Sequence, residues 1–159
     1  MKTFREFLLE STIKQLPKKL TLYHGSNTFF NKVDFSKLGR TDSGFLGRGF
    51  YLTGVKQLAN AYAHSSTSNH GGEPTVLNVM VEPKKYLHLT GTGPHELKDS
   101  LNAVGIDTTS STSISKRLLS LGYDSVVAWD SDGSGKIREF VVIDPKIIKN
   151  ITRGTYEKL

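Results

Sequence analysis

The chain has 159 residues, enough for one domain with its own core and too short for two comfortable ones. Apolar residues make up 36% and charged residues 23%, which excludes wholesale disorder, collagen-like sequence and a membrane bundle, and no apolar run approaches a signal peptide or membrane span. Cysteine is absent, and 21 Lys and Arg against 15 acidic residues give a charge of +6. Disulfide staples, thiolate zinc sites and cysteine nucleophiles are therefore excluded. The basic residues are scattered, so weak attraction to anions, nucleic acid among them, is expected without specificity.

Residues 1–19 read as an N-terminal arm. Phe4, Phe7 and Leu8 fall at helical spacing with Lys2, Arg5, Glu6 and Glu10 on the other faces, and a break follows at Pro17. A helix of that length is marginal alone, so the arm must dock or fray. Residues 20–159 read as one mixed domain. Leu20 to Tyr23 is a short alternating strand that ends at His24-Gly25-Ser26, and residues 27–48 form a turn-rich loop. Phe50 to Leu52 is a second strand. Val55 to His64 is helical, with Val55, Leu58, Ala59 and Tyr62 on one side, and the stretch from Ser65 to Gly72 is a loop. Thr75 to Val81 alternates as a strand, stops at Pro83, and Tyr86 to Leu89 resumes it. Pro94 to Leu101 and Ser113 to Leu121 are helices, the second capped by Gly122. Val126 to Trp129 is a buried strand, Gly133 and Gly135 mark a turn, and Ile137 to Ile143 is a strand stopped by Asp144-Pro145. Short strands outnumber helices, and several connections are too brief for a crossover helix. An α+β fold is expected, not a doubly wound parallel sheet.

Three places are odd for a chain concerned only with packing. His24-Gly25-Ser26 at a strand end offers an imidazole beside an approachable backbone, which suits a polar ligand; a partly buried, hydrogen-bonded His before an ordinary turn explains it equally well. In Gly49-Phe50-Tyr51, with Tyr62 eleven residues on, two phenol rings can face each other across a slot for a flat ring, or can simply belong to the core. Gly47-Arg48-Gly49 precedes a strand and not a helix, so it is no phosphate-cradling loop. Glu139, at the start of an apolar strand after a turn, can be held against a substrate hydroxyl or stay solvated.

The order His24-Gly25-Ser26, then Tyr51 with Tyr62, then Glu139-Phe140-Val141-Val142 resembles the His–Tyr–Glu pattern of ADP-ribosyltransferases. This is the poly(ADP-ribose) polymerase and diphtheria-toxin-like class, and within it the small phage and bacterial transferases of polyvalent proteins. The resemblance spans roughly Leu20 to Asn150. It implies a split mixed and antiparallel sheet core with short flanking helices, and NAD as co-substrate. It also implies roles. His24 hydrogen-bonds the ribose of the adenosine half and Ser26 adds a ribose contact. Gly25 holds the nicotinamide carboxamide through its backbone, and Tyr51 and Tyr62 sandwich the nicotinamide ring. Glu139 is the catalytic glutamate, with His24 and Tyr51 beside it in the active centre. Cleavage at a cationic leaving group needs positioning and nearby negative charge, so no metal and no protein nucleophile is required.

Two positions depart from the family pattern. Ala59 stands eight residues after Tyr51, where relatives carry a carboxamide-holding Ser, so anchoring rests more on Gly25. Ile137 stands two before Glu139, where arginine- and asparagine-modifying relatives carry Glu or Gln, which counts against an arginine acceptor. The implied activity is single transfer of ADP-ribose to a host protein or nucleic acid, with residues 27–48 and 131–138 bordering the acceptor and with no membrane partner. The enzyme is expected to be a monomer. Residues 1–10, ending Leu8-Leu9-Glu10, resemble the capsid-targeting propeptides of T-even-like bacteriophages. They imply packaging in a phage head and action in the host cytoplasm; an ordinary docking helix is the other reading. The other functional readings are an RNA 2′-phosphotransferase-like enzyme, a non-catalytic NAD- or ADP-ribose-binding module, and a DNA-binding internal head protein.

Overall fold

The computed structural model describes residues 15–37, 48–89, 94–109, 111–129 and 135–158. The helix expected within residues 1–10, the propeptide segment, much of the 27–48 loop and the turn at Gly133 lie outside the described residues. In chain order the elements are β1 (Leu20–Ser26), a 3-10 turn (Phe35–Lys37), β2 (Phe50–Leu52), α1 (Lys56–His70), β3 (Thr75–Val81) and β4 (Tyr86–Leu89). They continue with α2 (Pro94–Ala103), α3 (Ser111–Ser120), β5 (Ser125–Trp129), β6 (Ile137–Val142), a second 3-10 turn (Pro145–Ile147) and β7 (Ile148–Arg153).

The strands form two sheets, β1-β3-β7 and β2-β6-β5-β4. All pairings are antiparallel except β4 with β5. This is the expected α+β fold with a split, mixed and antiparallel core. The inner faces share one core, to which the first sheet gives Leu22, Leu77, Val79 and Val81 and the second gives Phe50, Leu52, Phe140 and Val142. Each such side chain contributes about 1.5–3 kcal/mol by burial. Leu16, at the end of the arm, is buried in the same core, and its N–H donates to the Tyr86 hydroxyl at 3.1 Å. A second core packs Leu101, Ile106, Ile114 and Leu118, from α2, α3 and their connection, under Leu89, Val126, Ala128 and Val141. Among the described residues no helix is long and apolar enough to cross a membrane.

Four elements differ from expectation. β1 does not end at Tyr23: every residue to Ser26 keeps a partner in β3, so His24 and Gly25 lie inside the strand. α1 continues through the Ser65–His70 stretch expected as loop. Its last turn is held by the Thr67 hydroxyl on the Ala63 carbonyl (2.9 Å) and by the Gly71 N–H on the Thr67 carbonyl (2.8 Å), with Gly71 at φ 77°. Its buried residues are Ala59, Asn60 and Ala63, not the expected row with Val55, Leu58 and Tyr62. β4 does not resume β3 but joins the other sheet, because Asp124 Oδ2 accepts from the N–H groups of Lys84 (2.8 Å) and Lys85 (3.0 Å) and turns the chain across. β7 was not expected at all; only its Ile151 is buried, so its sequence carries no period-2 pattern.

Candidate active site

The site lies where the two sheets part. Among the described residues one isolated antiparallel bridge joins β1 to the end of β2: the Tyr23 N–H donates to the Thr53 carbonyl at 2.8 Å and the Thr53 N–H to the Tyr23 carbonyl at 2.9 Å. Hydrogen-bonded and non-bonded positions alternate along an antiparallel pair. Because Tyr23 spends its backbone on Thr53, Gly25, two residues on, also turns its N–H and C=O away from β3 and toward β2. The same register sets Gly25 opposite Tyr51. Past the bridge the strands separate, and the Tyr51 carbonyl is taken by His24 Nδ1 at 2.8 Å.

Gly25 is fixed by packing as well. A Cβ there would lie 2.6 Å from the Ala63 nitrogen and 2.9 Å from the Tyr62 Cβ, and closer still to the Ala59 carbonyl oxygen. Only a residue without a side chain lets α1 approach β1 this closely. That approach sets Tyr62, in the middle of α1, beside Gly25, with 58% of its surface exposed.

Glu139 reaches the same place from the second sheet. Tyr51 pairs with Val141 and Leu52 with Phe140, so Tyr51, Val141 and Glu139 share one face, and the next step of the register sets Thr53 opposite Glu139. Tyr51 and Glu139 are diagonal neighbours on that face, about 7–8 Å apart at Cα. Through the bridge, this face continues into the side of β1 covered by α1. Beside Glu139 the pairing shifts: Ala128 faces Glu139 and Trp129 faces Ile137, leaving Arg138 as the extra residue of a bulge. Phe140 and Ile137 are both buried in the first core, and Glu139, half-buried, stands on the other face.

His24 enters the seam from the core side, its ring 4.5 Å from that of Phe50 and 5.8 Å from that of Phe30. Burial lowers its pKa, offset in part by the bond to the Tyr51 carbonyl. A carbonyl only accepts, so Nδ1 carries the proton, and the neutral ring is left with Nε2 as an acceptor. Ser26 is buried at the end of β1, its hydroxyl oxygen accepting from the Thr28 N–H at 3.3 Å.

The structure thus brings together His24, Gly25, Tyr51, Tyr62 and Glu139 around one seam, with Ser26 one residue beyond. Ala59 is fully buried, its carbonyl oxygen lying against Gly25. Sequence reasoning missed Thr53, whose backbone makes the bridge and whose hydroxyl oxygen accepts from the Val55 N–H at 3.1 Å, at the start of α1. It also missed Phe30 and Phe50 around His24; nothing local in the sequence marks any of the three. Among the described residues no three His, Asp or Glu side chains are grouped to hold a metal.

A split sheet with a His on one lip, a Tyr on the other and a Glu on the adjoining strand defines the ADP-ribosyltransferase fold. Residues 17–157 match the family of ADP-ribosyltransferases in polyvalent proteins. The chain belongs to that family, and is an ADP-ribosyltransferase that uses NAD. No curated protein matches it.

Proposed function

We propose that the chain is a mono-ADP-ribosyltransferase that releases nicotinamide and modifies a host macromolecule. The observation supporting this is the pair of Gly25 backbone groups turned to the open seam opposite Tyr51. A primary carboxamide donates and accepts at once, and a single residue presenting both N–H and C=O at a strand edge matches it. Tyr51 and Tyr62, on opposite lips, suit a flat ring between them. His24 Nε2 is placed to accept from a ribose hydroxyl, and Ser26 keeps its own hydroxyl proton to donate to one.

NAD supplies a glycosidic bond whose pyridinium leaving group departs with the bonding pair as neutral nicotinamide. Glu139 supplies fixed negative charge where positive charge develops on the ribose, accepts from its 2′-hydroxyl, and takes the acceptor's proton as the new bond forms. Ile137, buried in the first core, stands two residues before Glu139 in place of a second carboxylate or amide, which supports an acceptor other than arginine. Packaging in a phage head through residues 1–10 belongs to the same proposal.

The test is nicotinamide release from NAD in the presence of cell lysate, with labelled ADP-ribose followed into protease- or nuclease-sensitive product. Glu139→Gln should lower release by about 10²–10⁴-fold with NAD affinity little changed. A variant as active as the wild type removes Glu139 from the mechanism.

A further inference from the structure

On the far edge of the first sheet, β7 and the segment after β1 border an open cavity of about 420 Å³. Its floor is apolar, with Phe35, Val33, Ile148 and Ile151, and its rim carries Lys32, Lys149, Asn31 and Asn150. Among the described residues no acidic side chain lines it. The Lys149 ammonium donates to the Lys146 carbonyl at 3.0 Å, which steadies it, and Arg153 lies 4.8 Å above the Phe29 ring. Among the described residues none of Lys32, Lys149 and Arg153 forms an ion pair, although Asp34 and Asp144 lie on the same segments without lining the cavity.

We infer that this cavity binds single-stranded nucleic acid, one base entering over Phe35 while Lys32 and Lys149 take the flanking phosphates. The reasons are chemical. An aromatic floor under a rim of unpaired cations is the combination that holds single strands, by base stacking together with phosphate neutralisation. The carboxamides of Asn31 and Asn150 each offer a donor and an acceptor to a base edge. A sheet edge alone could equally add a strand of acidic peptide, but a cavity of this volume with an aromatic floor has no use for an extended backbone.

The site is separate from the seam at His24. No residue lining the cavity is among those gathered around Gly25 and Glu139; the nearest approach along the chain is Asn31, which follows the Phe30 that packs 5.8 Å from the His24 ring on the core side of β1. The inference therefore stands whether or not the transferase mechanism is as proposed.

The experiment is fluorescence anisotropy of a short labelled single strand against the full chain over a range of salt. Lys32→Glu combined with Lys149→Glu should weaken binding about tenfold or more, and should make the slope of log affinity on log salt shallower by about 1.4, at about 0.7 per lost phosphate contact. Asn150→Ala should weaken binding several-fold without altering the slope. Glu139→Gln should bind the strand as the wild type does, which separates this site from failure of the catalytic reading. Unchanged affinity in the double variant, with its thermal melt intact, overturns the inference. So does displacement of the strand by excess NAD, by poly-glutamate as readily as by unlabelled strand, or by duplex as readily as by single strand.

Discussion

Gly25 stands opposite Tyr51 in the register set by the Tyr23–Thr53 bridge, yet the Tyr51 carbonyl is bonded to the imidazole of His24. One side chain thus occupies the acceptor that would have closed the two sheets into one. The seam stays open because its lips are satisfied differently: Tyr51 by His24, and Gly25 by whatever enters. An open backbone edge of this kind is costly unless water or a ligand meets it, which makes it a place for a ligand.

Replacing Gly25 tests the packing half of that relationship. In Gly25→Ala the new methyl meets backbone atoms of Ala59 and Ala63, which cannot swing away as a side chain would. The expected loss is about 3 kcal/mol, the upper end for overpacking, read from urea unfolding, together with loss of NAD binding as α1 and β1 move apart. A variant as stable as the wild type would mean that the helix does not lie on the strand as closely as described.

Much of this arrangement was legible in the sequence. Phe50–Leu52, Thr75–Val81 and Ile137 onward carry alternation and stop signals that survive in the fold, and Glu139 and Tyr51 sit where their strands predicted. The seam was not legible, because it depends on one bridge between Tyr23 and Thr53, thirty residues apart. Nor was the second half of α1: Ser65, Thr67 and Asn69 favour loops when considered alone. In the fold, the Thr67 hydroxyl returns to the helix, and Asn27 latches the helix end by bonding to the Gly71 carbonyl (3.0 Å) and the Glu73 N–H (2.9 Å).

Ala59 was expected to weaken nicotinamide anchoring by lacking a hydroxyl. Its complete burial, with its carbonyl oxygen against Gly25, leads to the opposite prediction. Ala59→Ser should give no gain in NAD affinity by calorimetry, since the new hydroxyl meets the helix backbone and not the seam. It should cost stability by up to about 1–2 kcal/mol unless the hydroxyl bonds to the carbonyl one turn back. A tenfold tighter NAD complex would show instead that the side chain at this position reaches the ligand.

His24→Phe keeps an aromatic ring between Phe30 and Phe50 but removes both the donor to the Tyr51 carbonyl and the Nε2 acceptor. Loss of the bond to the Tyr51 carbonyl and of the proposed ribose contact should together weaken NAD binding by roughly 10–100-fold, at about 1–3 kcal/mol for such losses. The Gly25 N–H can then donate to the Tyr51 carbonyl, so a narrowed seam is expected alongside the loss. Calorimetry showing wild-type affinity would remove His24 from the binding site.

Two histidines also make stability depend on pH. Burial lowers the pKa of both His24 and His88 below the usual 6.5. His88 Nδ1 accepts from the Trp129 indole N–H at 3.1 Å, so protonating it would set two donors against each other. For both residues the unfolded chain takes up a proton near pH 6.5 that the folded chain refuses. Their stabilising contribution is therefore complete above that pH and declines as pH falls from 6.5 toward their folded values, since stability rises with pH wherever the unfolded state binds more protons. Urea unfolding between about pH 6.5 and pH 5 should show this decline, ahead of the protonation of ordinary carboxylates. His24→Phe and His88→Phe should each flatten it, and the double variant should nearly abolish it; an unchanged slope in the double variant would assign the pH dependence to other groups. Because Trp129 closes β5 and faces Ile137 across the bulge beside Glu139, the His88 variant should also shift the pH profile of transfer while leaving NAD affinity at pH 7.5 as it was.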